Sequence, residues 1–270
     1  MKRRVMHVVA SALMVSVMSV PAWAIGWGGI QNGGFETPPT PWETIGAAGV
    51  VDDFGGAFPP AQGNYQAVMT NGGASQAELE DFLGLSAGAL DSLIGVGDLI
   101  EPNVMGAAIR QDFWTDGPAE LWFKWRFAAA SINDLGPSVP GNGNGDFYYY
   151  PITAIYALDG DYWVLASDQS APFTTTVNIE GFFADMTDWI GEHRMITGEG
   201  DHRLGFAVFG AVFAPAAPGE DYERDGGEDF SAILTIDDVM TEIIPEPVTA
   251  GLSMLGFAAL GWSLRRRRAA

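Results

Sequence analysis

Glu120-Leu121-Trp122-Phe123-Lys124-Trp125-Arg126-Phe127 alternates without a break. Leu121, Phe123, Trp125 and Phe127 fall on one face, and Glu120, Trp122, Lys124 and Arg126 on the other. Successive side chains of a strand point to opposite sides, so a period of two predicts a strand buried on one face. The surrounding segments carry the same signal. Phe147 to Leu158 is rich in tyrosine and isoleucine, stops at Asp159-Gly160, and is followed by a second apolar run from Tyr162 to Ala166. Asp-Gly between two such runs predicts a β-hairpin. Phe173 to Ile179 alternates again, and Phe230 to Met240 closes the region. Leu204 to Phe213 is apolar on both faces, as expected of a strand covered on both sides. The fold class that follows is mainly β, an antiparallel β-sandwich.

Helix is predicted in few places. Ser75 with Glu78 three residues on forms a capping box before Leu79, Phe82 and Leu83, and Gly84 ends that helix. Ser86 is placed to cap a second short helix through Leu90, Leu93 and Ile94, and a third is expected from Ala184 to Ile190. These segments are too few to build a layer, so they are expected as a small insertion on the sandwich edge.

The chain has 270 residues, 34 acidic against 13 basic, and a formal net charge of −21. Such an excess of acid repels nucleic acid and anionic membrane surfaces, which are excluded as partners. There is no cysteine, which removes disulfides, thiol catalysis and zinc–thiolate sites. Histidine occurs only at His7, His193 and His202, with no H-E-x-x-H spacing, and there is no G-x-S-x-G elbow, P-loop or dinucleotide fingerprint. No catalytic residue is assigned and the chain is read as a non-enzyme, with a secreted glycoside hydrolase as the third-ranked function.

The two ends read as addresses. Lys2, Arg3 and Arg4, the apolar run Val8 to Val20, and Ala22-Trp23-Ala24 make residues 1–24 a secretory signal peptide cut after Ala24. Residues 25–244 form the exported domain. Residues 245–270 begin with Pro245-Glu246-Pro247, continue through the uncharged stretch Val248 to Leu264, and finish with Arg265, Arg266, Arg267 and Arg268. Seventeen residues at ~1.5 Å each are just long enough for a transmembrane helix, and the arginines hold its end in the cytoplasm.

A Pro-Glu-Pro triplet, one short span and a terminal arginine cluster resemble the PEP-CTERM sorting signal of Gram-negative bacteria. The resemblance implies an exosortase as processing partner, transient anchoring in the inner membrane through the C-terminal helix, and delivery to the cell surface or the extracellular matrix. Residues Pro245, Glu246, Pro247 and Arg265 to Arg268 would carry the sorting and cleavage. From Ile25 to Glu246 the chain holds all 34 acids against six basic residues, a net charge of −28.

Asn32-Gly33-Gly34-Phe35-Glu36 near the start and Ile236-Asp237-Asp238-Val239 near the end resemble the opening and closing segments of jelly-roll domains of the carbohydrate-binding-module type. The resemblance implies a jelly-roll topology with first and last strands side by side. It also implies a structural calcium ion shared by Glu36 and Asp237. Two further oxygen-rich loops, Asn142/Asn144/Asp146 and Asp221/Glu223/Asp225/Glu228/Asp229, are weaker calcium candidates. The second starts like an EF-hand loop but has Glu223 at position three and Ala232 at position twelve. Of the nine tryptophans most belong to the core, whereas Trp122 falls on the charged face of its strand. Two fates are open to it: stacking a sugar ring, or lying beneath the Ser75–Ile94 insertion. The expected function is a structural or adhesive component of the exopolysaccharide or biofilm matrix. The alternative is a glycan-binding module with a defined polysaccharide ligand.

Overall fold

The structure is a computed structural model that describes residues 29–37, 41–53, 56, 58–94, 103–130, 152–168, 170–179, 182–212 and 232–244. The signal peptide, the sorting segment 245–270 and the two oxygen-rich loops around 142–146 and 221–229 lie outside the described residues. No helix among the described residues is long and apolar enough to cross a membrane.

Two antiparallel sheets face each other. The first is built from β1 (Glu43–Ile45), β4 (Ala74–Ser75), β5 (Asn103–Thr115), β7 (Thr153–Leu158), β8 (Asp161–Ser167) and β12 (Gly200–Val212). Its order is β1-β5-β12-β7-β8, with β4 also on β5. The second is built from β2 (Ala48–Val51), β3 (Gln66–Thr70), β6 (Ala119–Ala130), β9 (Phe173–Ile179), β10 (Phe182–Thr187), β11 (Ile190–Ile196) and β13 (Ala232–Ile243). Its order is β2-β3-β13-β6-β10-β9, and β11 pairs with β6 beyond the end of β10.

The alternation that defines β6 also defines the core. Leu121, Phe123, Trp125 and Phe127 are all buried between the sheets. Phe123 meets Phe206 and Tyr156 edge-on at 4.9 and 5.1 Å, and Trp42 joins Phe206 to Phe35. Edge-to-face rings add attraction beyond their buried area. The Asp159-Gly160 hairpin is present between β7 and β8, both residues having positive φ, 54° and 88°. Strand β12 is covered on both sides as its apolar pattern requires. Leu204, Phe206 and Val208 face the inter-sheet core, and Ala207 and Phe209 face a second cluster under the helices.

The helical insertion differs from expectation in three ways. Helix α1 (Gln76–Leu83) has the Ser75/Glu78 capping box and the left-handed Gly84 cap, but it packs flat on β5 and β12 rather than at the sandwich edge. The small residues Ala108 and Ala207 and Gly106 and Gly205 beneath Leu79 and Leu83 leave room for it there. Helix α2 (Asp91–Ile94) is a single turn. The residues before it are held in turns by the buried Glu80 carboxylate, which accepts from Gly88 N and Leu90 N at 2.8 and 3.0 Å. The segment Ala184–Ile190 is not a helix. Its first part is in β10, paired to both β9 and β6, and Ile190 begins β11. Thr187 shows why: its Oγ1 accepts from Phe127 N at 3.1 Å, so pairing to β6 outweighs local helical spacing.

The first strand, β1, pairs with β5 in one sheet and the last, β13, lies in the other, so first and last strands are not side by side. The segment 29–37, which is not a strand, is what lies against β13. Val239 N donates to Gly33 O at 3.0 Å, and Ile30 N to Thr241 Oγ1 at 3.2 Å.

Candidate functional site

The outward face of β6 carries Glu120, Trp122, Lys124 and Arg126, and the two neighbouring strands bring partners to each. In register across the sheet, Trp122 stands between Met240 of β13 and His193 of β11. The next row is Glu242, Glu120 and Met195. Trp122 is 39% exposed, so the helices do not cover it; they sit on the opposite sheet. Its ring stacks on His193 with centroids 4.8 Å apart and planes 20° apart. Its Nε1–H donates to Glu120 Oε2 at 3.2 Å, which fixes the ring's rotation. Met240 and Met195 are 45% and 51% exposed. Three of the seven large hydrophobic side chains left exposed among the described residues therefore lie in adjacent rows of one outward face.

Beyond Trp122 the same strand turns dry. Lys124 is half-buried and its Nζ lies 2.9 Å from Asp238 Oδ2. Arg126, expected on the wetter face, is buried. The loop at Phe58-Pro59 and the corner at Trp189 fold over it, with the guanidinium 5.2 Å from the Phe58 ring, 4.5 Å from the Trp189 ring, and donating to Pro59 O at 3.0 Å. Burial pushes its pKa down to about 10, and cation–π contact with two rings offsets part of that cost. Of the six tryptophans among the described residues only Trp42 and Trp125 are buried in the core, so the expectation that most are core does not hold. Trp163 is half-buried against Tyr156, Trp189 is half-buried over Arg126, and Trp114 and Trp122 are exposed.

Met240 was invisible to sequence pattern. Asp237 pairs with Lys124 while Met240 pairs with Trp122, so β13 inserts one extra residue, a β-bulge, with Asp238 at φ 55°. Strict alternation from the buried Ile236 puts Met240 inside; the bulge turns it out beside Trp122. The place of His193 follows only from the register of β11.

Glu36 and Asp237 both grip the turn 61–65. Glu36 Oε1 accepts from Asn64 N and Tyr65 N at 2.7 and 2.9 Å, and Oε2 from Asn64 Nδ2 at 3.2 Å. The backbone N–H groups of Asn64 and then Tyr65 hold its carboxyl below the usual range. Asp237 is fully buried, with Oδ2 accepting from Gln62 N at 2.8 Å and Oδ1 from Asp238 N at 2.7 Å. Burial nonetheless pushes its carboxyl above the usual range. Among the described residues no three acidic or histidine side chains gather closely enough to hold a metal by themselves. Glu36 is exposed and Asp237 is buried, and oxygens of both are taken up by N–H groups of the same turn. Carboxylate oxygen is the donor type that calcium takes.

His202 sits in a hydrogen-bonded chain. Nδ1 lies 2.7 Å from Asp159 Oδ2 and Nε2 3.0 Å from Thr115 Oγ1. The order Asp-His-Thr resembles a nucleophile relay, but Thr115 is buried and its hydroxyl donates to Gly198 O at 3.2 Å. The chain ties the β7–β8 hairpin to β12 and β5 and gives a substrate no access to the hydroxyl.

No protein-family model matches the chain, and no curated protein does. Solved structures with a similar course of chain include the carbohydrate-binding module TmCBM61 in complex with beta-1,4-galactotriose, 10% identical, covering 78% of this chain and 95% of that one at TM-score 0.33. Another is the K1 cleaved adhesin domain of Lys-gingipain from Porphyromonas gingivalis W83, 12% identical, covering 78% and 96% at TM-score 0.31. A third is the enzymatically active domain of the bacteriophage CBA120 tailspike protein 4, 9% identical at TM-score 0.33; the match spans 80% of this chain but 21% of that protein. Likeness at that level transfers neither ligand nor activity, and the sandwich is defined by its own strand pairings.

Proposed function

We propose that the protein is an exported component of the cell surface or extracellular matrix that contacts polysaccharide through the outer face of β6, without chemistry of its own. The observation that carries this is the exposed Trp122, with its ring orientation fixed by His193 and Glu120. Flat aromatic faces with polar groups at the rim suit the apolar face of a sugar ring. The non-catalytic part of the reading is supported by the two histidines of the mature chain, one stacked on Trp122 and the other tied into a hairpin. Export rests on residues 1–24 and sorting by an exosortase on residues 245–270. The jelly-roll topology belongs to the same reading, supported by the two antiparallel sheets that face each other.

Substituting Trp122→Ala in the full chain weakens polysaccharide binding while the melting temperature stays within a few degrees, because the ring is exposed and its removal opens no cavity. Loss of ~3 kcal/mol or more of stability would instead mark Trp122 as core. Affinity electrophoresis in soluble polysaccharides, run beside a thermal melt, reads both quantities.

Calcium at Glu36 and Asp237 is part of the proposal. A site of micromolar affinity at millimolar calcium adds about 4 kcal/mol to the native state. For a domain of this size that is roughly 10 °C or more in melting temperature. Chelation removes the increment, and Asp237→Ala makes the curves with calcium and with chelator coincide. Superimposable curves for the unmodified protein would mean that the two carboxylates serve the 61–65 turn alone.

A further inference from the structure

Resting on the polysaccharide reading, we propose that the sugar taken by the Trp122 face is amine-bearing, a polymer of glucosamine type with free rather than acetylated amino groups. Glu120 and Glu242 are register partners directly across β6 and β13. Like charges in that position repel and destabilise a sheet. Among the described residues no lysine, arginine or histidine forms an ion pair with either. The pair stands one row from Trp122, about 7 Å along the strand. A pyranose stacked on the indole therefore carries a ring-edge ammonium into reach of both carboxylates.

The indole is tuned in the same direction. Its N–H is given to Glu120 Oε2, and an anion at that edge enriches the π face that receives a cation. The opposite end of the row is electrically closed, because Lys124 is paired to Asp238 and Asp238 Oδ2 also accepts from Gln62 Nε2 at 2.8 Å. The ionisable groups around the ring are thus Glu120, Glu242, Lys124, Asp238 and the stacked His193. A uronic acid polymer meets two uncompensated carboxylates, and an N-acetylated one brings no charge to relieve them. The chain's net charge of −21 favours a polycation at longer range as well.

The test compares hexamers of glucosamine, N-acetylglucosamine and galacturonate by isothermal titration into the full chain. Salt of about 0.15 M confines electrostatics to about 8 Å. Glucosamine hexamer binds at least tenfold tighter than the other two. Glu120→Gln with Glu242→Gln lowers that affinity about threefold to tenfold, and Trp122→Ala abolishes it while keeping every charge. If all three hexamers bind alike, or the acetylated one binds tighter, and Trp122→Ala still abolishes binding, the face holds sugar but the amine assignment is overturned. Binding of the glucosamine hexamer that survives Trp122→Ala overturns the polysaccharide reading of this face itself, since only diffuse attraction to an acidic protein would remain.

Discussion

Replacing Gly33 with alanine lowers the melting temperature by roughly 10 °C, while the same change at Gly34 leaves it within about 2 °C. At Gly33 an added Cβ lands on the backbone carbonyl of Val239, and no side-chain rotation relieves a clash with backbone. At Gly34 the nearest atom is Glu36 Cγ at 3.8 Å, an ordinary contact. The clash must be relieved by moving the 29–37 segment off β13. That breaks the hydrogen bond from Val239 N to Gly33 O and withdraws Phe35, which is fully buried against Trp42 with ring centroids 5.4 Å apart. It also pulls Glu36 away from Asn64 and Tyr65. A buried phenylalanine is worth about 3 kcal/mol to a core of this kind, which sets the expected scale. Thermal melts of the two variants check it. Equal, small shifts would mean that the N-terminal segment contributes nothing to the sandwich.

The contrast between those neighbouring glycines marks what sequence can and cannot carry. Period-two patterns reflect burial on one face, so Leu121 to Phe127, Asp159-Gly160 and the two-sided apolar run at 204–213 were legible as strands and a hairpin. The capping box at Ser75 and Glu78 was equally legible, because it closes within one helical turn. Register is a different quantity. Nothing local to Met240 says that a bulge at Asp238 turns it outward, and nothing local to His193 says that it meets Trp122. The same holds for Ala184–Ile190, where hydrogen bonds from two neighbouring strands decide against helix, and for Arg126, buried by a loop some 67 residues away in the chain. The candidate face was therefore half readable: its tryptophan and its charges lie on one strand, whereas its width comes from three.

The exported protein is expected to end close to Glu246 and to lack Arg265 to Arg268. An ordinary membrane anchor keeps its tail, whereas a sorting signal is consumed, and the two differ by the mass of more than twenty residues. Val248 to Leu264 is barely long enough to span a bilayer, and Gly251, Gly256 and Gly261 recur in it every five residues. Glycine destabilises a helix by about 1 kcal/mol per residue relative to alanine, which suits a segment that a membrane-embedded protease has to unwind. On this proposal the four arginines would resist translocation and hold Pro245-Glu246-Pro247 at the outer face of the membrane, where the protease would cut. Changing that triplet to three alanines leaves the span and the arginines intact, so insertion continues while processing stops, and the full-length chain accumulates in the inner membrane. Intact-mass analysis of the surface and matrix fractions decides between the two. An arginine tail on the exported form would restore the plain anchor.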